Sequence, residues 1–526
     1  NLEISHLIIQ KIPQETQKNT FSKIGNVLKK HGFIKIIELT LYKIIHIVES
    51  WRLKNTQYKD HLSQFDLSEC VKDSFSIQPI ISKSGFVYRY KVSDVDKIKK
   101  LKFHILIYSG SGILKGEILN AAKFGIISFH HADNRINRGL PAGFWEVYFK
   151  QDATGFTIQQ LTEEIDGGNV LFRGQVATKG TFLFNQATLY EKSYYYLKKL
   201  LFDIATSCEL PKYLDSYPYF DKLYKSPKLG VLVTYFMRLL IKTIDFLINQ
   251  KLLKKRYRWG VAFSFSNWKN LVMWRGIRIK NPPNHFLADP FVISANGENY
   301  CFVEDYDYTI SRGHIAVYKL FEKGSERIGK AIVEPFHMSY PYIFEYQSKY
   351  YMCPETRQNK DIRLYECESF PNKWKLKKII MSNVSAVDTT IFKKDSNWWL
   401  FTNIDPNNMG DNCTELFIYY SDNPLTDTWI PHKKNPVFID SMKARMGGIL
   451  FDQNIIYRVS QQQGFNMYGK SASINQIIDL SPENYKEEML CKIEPNFFDN
   501  LYGTHHIHSN GKITVFDYVE KIKINF

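Results

Sequence analysis

The sequence predicts two folded parts: an α/β domain built on a mostly parallel sheet, followed by an all-β five-bladed propeller. Three observations support this fold class. The chain of 526 residues exceeds what one hydrophobic core usually supports. Its first third alternates apolar runs of strand length with segments of helical periodicity. The part of the chain after residue 287 repeats one hairpin pattern five times.

The first part alternates strands and helices. Strand-length apolar runs are "SHLIIQ", "FHILIYS" and "IISFH", whereas "FSKIGNVLKKHG" and "FIKIIELTLYKIIHIVESWRL" carry apolar residues at helical spacing. A strand, a crossover helix and a second strand are typical of a parallel, Rossmann-like sheet. Ligands of such sheets bind beyond the carboxyl ends of the strands. His130 and His131 stand at the end of one such strand, where chemistry is expected.

A connector separates the two parts. We expect an α/β domain over residues 1–205, a helical basic connector over 206–270 and a propeller over 271–526. The longest apolar stretch, "LGVLVTYFMRLLIKTIDFLI", is interrupted by Arg238 and Lys242, which disfavours a transmembrane helix. It predicts an amphipathic helix that either lies on an anionic membrane surface or packs between the two domains.

Charge and cysteine content restrict partner and compartment. The net charge of +16 favours anionic partners such as phosphorylated sugars or an anionic membrane, and is equally typical of a solvated lysine-rich surface. No aromatic-rich RNA motif is present, so nucleic acid is not expected. Seven scattered cysteines predict free thiols and no structural metal, hence a cytoplasmic protein, with peripheral association at the inner membrane surface as an option. The first residues lack the pattern of a secretory signal, and because the chain begins at Asn, we expect residues to precede it.

A set of motifs between about residues 85 and 190 resembles the folate-dependent formyltransferases. In chain order these are Phe129-His130 after a strand, Arg138-Gly139, "TGFT" at 154–157 and "IDGG" at 165–168. The resemblance implies that His130 stabilises an oxyanion and that Asp166 tunes this histidine and helps a proton leave. Ser128 stands where the family has Asn. The oxyanion site would therefore be rebuilt with His131 or Asn134, or weakened.

The same resemblance implies further binding residues and a cofactor. Gly110, Gly112, Ile113 and Leu114 are similar to the family's pterin-side loop, which implies 10-formyltetrahydrofolate as cofactor, and Arg138 would contact substrate. The implied reaction is formyl transfer to the amine of a nucleotide-linked amino sugar in glycan biosynthesis. The alternative is structural, with the histidines capping a strand and the "IDGG" segment forming a turn.

The second part repeats a polar or small residue pair, a short strand, a turn and an aromatic-rich strand. The copies begin at residues 288, 339, 387, 445 and 503. A period near 50 residues built from hairpins predicts a β-propeller of five blades. A β-sandwich is the alternative, but it would not explain why the first residues of each copy recur in register.

This part resembles the furanosidase propellers and, more closely, the N-terminal domain of glucosamine inositolphosphorylceramide transferases. The shared segments include "ADPF", "FVED", "SYPYIF", "DTTIF" and "RMGGILF". The resemblance implies that carboxylates from different blades converge on the axis. The candidate residues, which would cleave a glycosidic bond or bind sugar, are Asp289, Glu304, Glu355, Asp388, Arg445 and His505. Glycosyltransferase or glycosidase activity of these residues is the alternative to formyl transfer, and a non-catalytic scaffold is a third possibility.

Overall fold

The computed structural model describes residues 3–12, 20–110, 112–164, 167–215 and 217–523, with only the backbone described over 20–27 and 29–31. The chain divides into two compact units, Asn1–Ile241 and Lys242–Phe526. Strands account for 43% of the structure and helices for 21%. The protein is therefore mostly β.

The first unit carries the longer helices of the described chain, the last of which runs past the unit boundary. The α-helices are α1 (Thr20–Leu53), α2 (Val92–Lys100), α3 (Phe144–Phe149), α4 (Phe182–Ser207) and α5 (Leu229–Phe246). Helix α1 is interrupted at Gly32, whose φ of 79° lies outside the helical region. No helix in the described ranges is long and apolar enough to cross a bilayer.

The strands of the first unit form small separate sheets. They are β1 (His6–Gln10), β2 (Asp73–Ile77), β3 (Ile80–Ile81), β4 (Val87–Arg89), β5 (Leu106–Tyr108), β6 (Ile113–Leu114), β7 (Ile126–His130), β8 (Ala153–Gln160) and β9 (Asn169–Ala177). The sheet orders are β1-β2, β3-β4-β6 and β5-β7-β8-β9. In the largest sheet β5 and β7 are parallel, whereas β7-β8 and β8-β9 are antiparallel.

The predicted fold class is wrong, because the described residues of the first unit form no Rossmann-like, mostly parallel sheet. Strand β8 explains the error. It is buried over six consecutive residues, Thr154–Gln159, and helix α4 packs against it. The sequence of this run, "TGFTIQ", does not show the direction of pairing. Strand β8 pairs antiparallel with both β7 and β9, so only β5 and β7 keep the predicted parallel order.

A buried carboxylate joins the helices of the first unit. Glu49 of α1 is 1% exposed. Its carboxylate accepts hydrogen bonds from the backbone N–H of Leu183 at 2.7 Å and from the hydroxyl of Tyr235 at 2.5 Å. The three residues belong to α1, α4 and α5, so the inner faces of these helices are fixed to one another.

The second unit is built from antiparallel sheets that follow each other along the chain. Blade 1 is β12–β15, blade 2 is β16–β19, blade 3 is β20–β24 and blade 4 is β25–β28. The remaining strands, β10, β11 and β29–β31, form a closing blade in which β10 pairs with β31 from Lys255↔Lys523 to Ser264↔Thr514. The first and last strands of the unit therefore share one sheet.

The strands of the second unit have the following bounds: β10 Lys255–Ser264, β11 Ile277–Ile279, β12 His285–Ala295, β13 Glu298–Asp307, β14 Arg312–Phe321, β15 Gly324–Ile332, β16 Ser339–Tyr346, β17 Lys349–Glu355, β18 Asp361–Ser369, β19 Lys373–Ser382, β20 Ala386–Lys394, β21 Asn397–Ile404, β22 Glu415–Ser421, β23 Ile430–Pro431, β24 Phe438–Ile439, β25 Met446–Asp452, β26 Ile455–Gly464, β27 Met467–Leu480, β28 Tyr485–Ile493, β29 Leu501–Gly503, β30 Ile507–Ser509 and β31 Thr514–Lys523.

The innermost strands form a ring, as in a five-bladed propeller. Strand β12 contacts β16, β16 contacts β20, β20 contacts β25, and β30 contacts both β25 and β12. Neighbouring blades bury large aromatic and aliphatic side chains between them, for example Phe291, Tyr342, Trp399 and Ile449. The ring leaves the beginnings of these strands close to the axis.

Each of the first four blades carries a β-bulge at the same place on its innermost strand. The pairing register shifts between Ala288 and Phe291, Ser339 and Tyr342, Val387 and Thr390, and Met446 and Ile449. Within these bulges Asp289 and Asp388 have φ values of 49° and 52°. Bulges redirect side chains and are frequent beside active sites. The repeated bulge is the local feature that places two aspartates near the axis.

Candidate active site

The predicted residues of the second unit meet at one cavity of about 180 Å³. Asp289, Glu304, Glu355, Arg445 and His505 line it, and Asp388 bonds to Arg445 at 2.7 Å. The other lining residues are Trp259, Phe286, Ala288, His337, Ser339 and Tyr468. Residues that lie more than 200 positions apart in the chain are thus brought together by the ring of blades.

The two glutamates occupy equivalent positions in successive blades. Glu304 of β13 pairs with Ala288, and Glu355 of β17 pairs with Ser339; in each blade the partner directly precedes the bulge. The same position in blade 3 holds Asn403, which pairs with Val387. The repeat therefore supplies the backbone position, and the individual residue decides whether a carboxyl group is present.

Arg445 connects two acidic groups of different blades. Its Nε donates to Oδ2 of Asp388 at 2.7 Å, and its Nη2 lies 3.9 Å from Oε2 of Glu355. Gln461 also donates to Oδ2 of Asp388, at 3.0 Å. The guanidinium carbon lies 4.9 Å from the ring centroid of Tyr468. These contacts compensate a buried cation with charge-assisted hydrogen bonds and an aromatic face.

His505 lies between two aspartates. Its Nδ1 is 2.5 Å from Oδ2 of Asp517, and its Nε2 is 3.6 Å from Oδ1 of Asp289. The imidazole stacks on Trp259 with the ring centroids 4.0 Å apart. Burial opposes the charged imidazolium, but the Asp517 carboxylate outweighs it, and the pKa of His505 is raised. A positive charge is therefore favoured beside Asp289.

Glu304 faces a histidine whose tautomer is fixed by the backbone. The N–H of Gly313 donates to Nδ1 of His337 at 2.9 Å, so the proton of the neutral ring is on Nε2. That nitrogen lies 3.6 Å from Oε1 of Glu304. Burial lowers the pKa of His337, which favours this neutral form.

Burial and mutual repulsion raise the pKa values of the cavity carboxyl groups. Burial is the larger cause for Glu355, and the nearby Asp388 adds to it, which raises the pKa of Glu355 to about 8. Burial likewise raises the pKa of Asp289 to about 7, although His505 acts in the opposite direction. Burial and Asp289 raise the pKa of Glu304 well above its usual value. At neutral pH the cavity thus holds carboxyl groups able to donate and to accept a proton.

One group of the described residues has the spacing of a metal site. Ligand atoms of Asp289, His505 and Asp517 lie within 4.8 Å of one another. His505 Nδ1 and Asp517 Oδ2 lie 2.5 Å apart as an ion pair, and neither atom has a partner in hydrogen-bond geometry among the described residues. The absence of a resident metal stays a prediction of the sequence.

Seven residues that line or support the cavity were not predicted: Trp259, Phe286, Ala288, His337, Ser339, Tyr468 and Asp517. Trp259 lies on β10, which none of the five aligned hairpins covers, whereas Asp517 lies inside the fifth copy. The one sequence feature beside Tyr468 is the glycine that follows it. In the structure Gly469 has a φ of 62°, and a Cβ there would lie 3.0 Å from Trp259 and 3.1 Å from His505.

In the first unit the predicted catalytic residues are engaged in local structure. The hydroxyl of Ser128 donates to the backbone carbonyl of Tyr108 at 2.9 Å, and Nε2 of His130 lies 3.2 Å from the carbonyl oxygen of Asn137. Asp166 lies outside the described residues. The imidazole of His131 packs between Phe129 and Tyr190, and burial lowers its pKa to about 3.

The other predicted residues of the first unit stabilise a loop. Nε of Arg138 donates to the backbone carbonyl of Asn134 at 2.9 Å, and the Asn134 side-chain oxygen accepts from Arg173 at 3.1 Å. The guanidinium of Arg138 also lies 4.8 Å from the ring centroid of Tyr219. Both predicted residues therefore have structural partners.

Two tyrosine rings pack against the glycines of the predicted cofactor loop. A Cβ on Gly112 would lie 2.6 Å from the ring of Tyr88, and one on Gly110 would lie 2.8 Å from the ring of Tyr108. Ile113 and Leu114 form β6, and Leu114 is buried in the hydrophobic core. Tyrosine rings thus occupy the space that the glycines leave, and binding of 10-formyltetrahydrofolate by this loop stays a prediction of the sequence.

Comparison with known proteins gives a family match in the second unit. The family described as "Glucosamine inositolphosphorylceramide transferase 1, N-terminal" matches residues 267–500. This range contains Asp289, Glu304, Glu355, Asp388 and Arg445, whereas His505 and Asp517 follow it. The match lies wholly outside the first unit, whose resemblance to formyltransferases it does not support.

Two curated relatives carry the name glucosamine inositolphosphorylceramide transferase 1. The protein of Arabidopsis thaliana is 37% identical over 211 residues, which are 39% of this chain and 27% of the relative. That of Oryza sativa subsp. japonica is 34% identical over 210 residues, which are 39% of this chain and 28% of the relative. The relatives are thus named transferases, and the chain spans about a quarter of their length.

Solved structures with a detectable likeness include two enzymes. The catalytic domain of the Coprinopsis cinerea GH62 α-L-arabinofuranosidase is 12% identical with a TM-score of 0.36, and covers 49% of this chain and 85% of its own. The Bacillus subtilis arabinanase Arb43A is 14% identical with a TM-score of 0.33, and covers 45% of this chain and 94% of its own.

Proposed function

We propose that the second unit binds a glycan in its axial cavity and acts by acid–base catalysis on a glycosidic bond, either in glycosyl transfer or in hydrolysis. One observation carries the proposal: Glu355 and Asp289, from different blades, line one cavity with pKa values near 8 and 7. Reactions at glycosidic bonds need one protonated and one ionised carboxyl group at the same pH.

The pKa values assign a role to each group. Glu355 is mostly protonated at neutral pH and would donate its proton to the leaving glycosidic oxygen as the C–O bond breaks. Asp289 is partly ionised and would take the proton of the attacking hydroxyl, from water or an acceptor sugar, as the new C–O bond forms. Arg445 bridges Asp388 and Glu355 and would position the acid.

The lining suits a single sugar ring, and we propose an amino sugar as substrate. Trp259, Phe286 and Tyr468 offer aromatic faces to a sugar ring, and the cavity has room for about one ring. Arg445, a charged His505 and the mostly protonated Glu355 all face the cavity, so its charge does not by itself select an ammonium over a phosphate. The relatives' name includes glucosamine, and we extend this substrate class to the chain as part of the proposal.

The assay uses the full purified chain with methyl glycosides of glucosamine, N-acetylglucosamine and arabinofuranose, whose alkoxide leaving group needs a proton, with and without an acceptor sugar. We expect Glu355→Gln to reduce turnover at least about 100-fold, because general acid catalysis contributes about that much. Glu345→Gln is the matched control, since Glu345 is exposed on β16 of the same blade. Equal turnover by both variants would contradict the proposed role of Glu355. If the chain binds glucosamine saturably but turns over none of the glycosides, the second unit binds sugar without catalysing a reaction.

A further inference from the structure

Helix α1 has apolar side chains on two opposite faces. Its inner face buries Ile45, Glu49 and Leu53. The side chains of the opposite face are between 38% and 72% exposed, and we call them the α1 stripe: Phe33, Ile37, Ile44, Ile47, Val48 and Trp51. At about 100° per residue, they fall within an arc of about 100°. A helix that is apolar all round is normally covered on all sides.

Helix α5 carries an exposed apolar face of its own. Val233, Met237, Leu240 and Ile241 are between 41% and 60% exposed and recur at helical spacing. The helix lies on the inner face of α1, because the Tyr235 hydroxyl donates to Glu49 and the backbone N–H of Leu229 donates to Glu38. The α1 stripe therefore faces away from α5, and its regular helical spacing indicates a binding face rather than scattered surface residues.

The charge along α1 is positive on the outside. Lys43 and Arg52 are exposed, and Lys54 follows the helix. The two acidic residues of α1 turn inward: Glu49 is buried, and Glu38 pairs with Lys35 at 3.0 Å. The described side chains of α1 thus combine an apolar stripe with basic flanks, and Trp51 stands at one end of the stripe.

We propose that the α1 stripe docks on the surface of an anionic phospholipid bilayer, with the helix lying in the plane of the interface. Apolar side chains flanked by basic residues, with a tryptophan at the boundary, suit that environment. A second copy of the chain fits less well, because a two-fold interface would place Lys43 and Arg52 opposite the same basic residues of the copy. The proposal is independent of the chemistry of the second unit.

The test is co-sedimentation of the full chain with vesicles of phosphatidylcholine alone and of phosphatidylcholine mixed with phosphatidylglycerol. We expect binding to the mixed vesicles that weakens with added salt. The triple variant Lys43→Gln/Arg52→Gln/Lys54→Gln should bind about 100-fold more weakly, at about fivefold for each basic residue. The variant Ile44→Gln/Ile47→Gln/Trp51→Gln should lose at least tenfold. Met489→Gln/Leu490→Gln, at exposed positions of β28, is the control and should bind like the wild type.

A spectroscopic measurement locates the contact. Vesicles with brominated acyl chains should quench part of the fluorescence of the nine tryptophans, and the quenched part should be absent in Trp51→Phe. Three results would overturn the proposal. The first is that the wild-type chain binds neither kind of vesicle. The second is that both triple variants bind the mixed vesicles as tightly as the wild type. The third is that the wild-type chain binds no vesicle and is a dimer, which the apolar triple variant converts to a monomer. The last result would identify the stripe as a protein interface.

Discussion

Asp517 fixes His505 through both carboxylate oxygens. Oδ2 lies 2.5 Å from Nδ1 of His505, and Oδ1 accepts the backbone N–H groups of His505 and His506, each at 3.0 Å. Asp517 is fully buried. The imidazole is therefore held in one orientation, with Nε2 directed to Asp289.

His505→Gln should shift the pH profile of glycosidic activity. The positive charge of His505 lowers the pKa of Asp289, so its loss raises that pKa, and Asp289 becomes ionised only at higher pH. The acidic limb of kcat/KM should move up by about one pH unit. His432→Gln, at a buried histidine of blade 3 away from the cavity, is the control. An unshifted limb in His505→Gln would show that Asp289 does not control it.

Arg445→Met should destabilise the second unit by about 3–5 kcal/mol, because it leaves the buried Asp388 without its cation. The double variant Arg445→Met/Asp388→Asn should recover much of this loss. Urea unfolding followed by tryptophan fluorescence measures both, with Lys393→Met on the exposed side of β20 as the control. Equal stability of the single and double variants would contradict the predicted coupling.

The stability of the second unit should fall as pH rises from about 5 to 8. The pKa of Glu355 is near 8 in the folded chain and near 4.5 in the unfolded one. The folded state therefore binds more protons over this window, and the stabilisation present below the unfolded value is lost as pH rises. The loss should reach several kcal/mol, at about 1.4 kcal/mol per pH unit. Urea titrations of wild type and Glu355→Gln at several pH values measure it, and the variant should show a shallower fall.

Gly448→Ala should destabilise the second unit by disrupting the contact between β25 and β30. Its φ of 125° disfavours any side chain, and a Cβ would collide with the backbone carbonyl of Ile507 on β30. Gly297→Ala is the matched control, since its φ of 77° carries the same kind of strain but its Cβ would meet nothing within 4 Å. We expect about 1–2 kcal/mol for Gly297→Ala and several kcal/mol for Gly448→Ala, measured by thermal or urea unfolding. Equal losses would mean that the β25–β30 contact contributes little.

The sequence was informative where the chain repeats and misleading where it does not. Aligned hairpins place Asp289 and Asp388 at the same point of their blades, and the structure brings them to one axis through the bulges of β12 and β20. Asp517 lies inside the fifth copy, but the repeat does not show its role, because that role depends on contacts with the backbone N–H groups of His505 and His506 beside the β30–β31 hairpin.

In the first unit, the local sequence pattern does not show whether neighbouring strands pair parallel or antiparallel. The buried run of β8 is compatible with a parallel or an antiparallel partner, and the short β8–β9 hairpin decides for the latter. The glycines at 110 and 112 were equally ambiguous, since close approach by a cofactor and close approach by a tyrosine ring select the same residue.

The pairing of β10 with β31 sets an order of events during protein synthesis. His505, Asp517 and the partner strand of β10 all follow blade 4 in the chain, so the cavity can close only after this segment has left the ribosome. Before that, blades 1 to 4 form an incomplete ring, in which the edge of β10 that later pairs with β31 has no partner strand. Prematurely terminated chains should consequently lack the site altogether and expose that edge to aggregation.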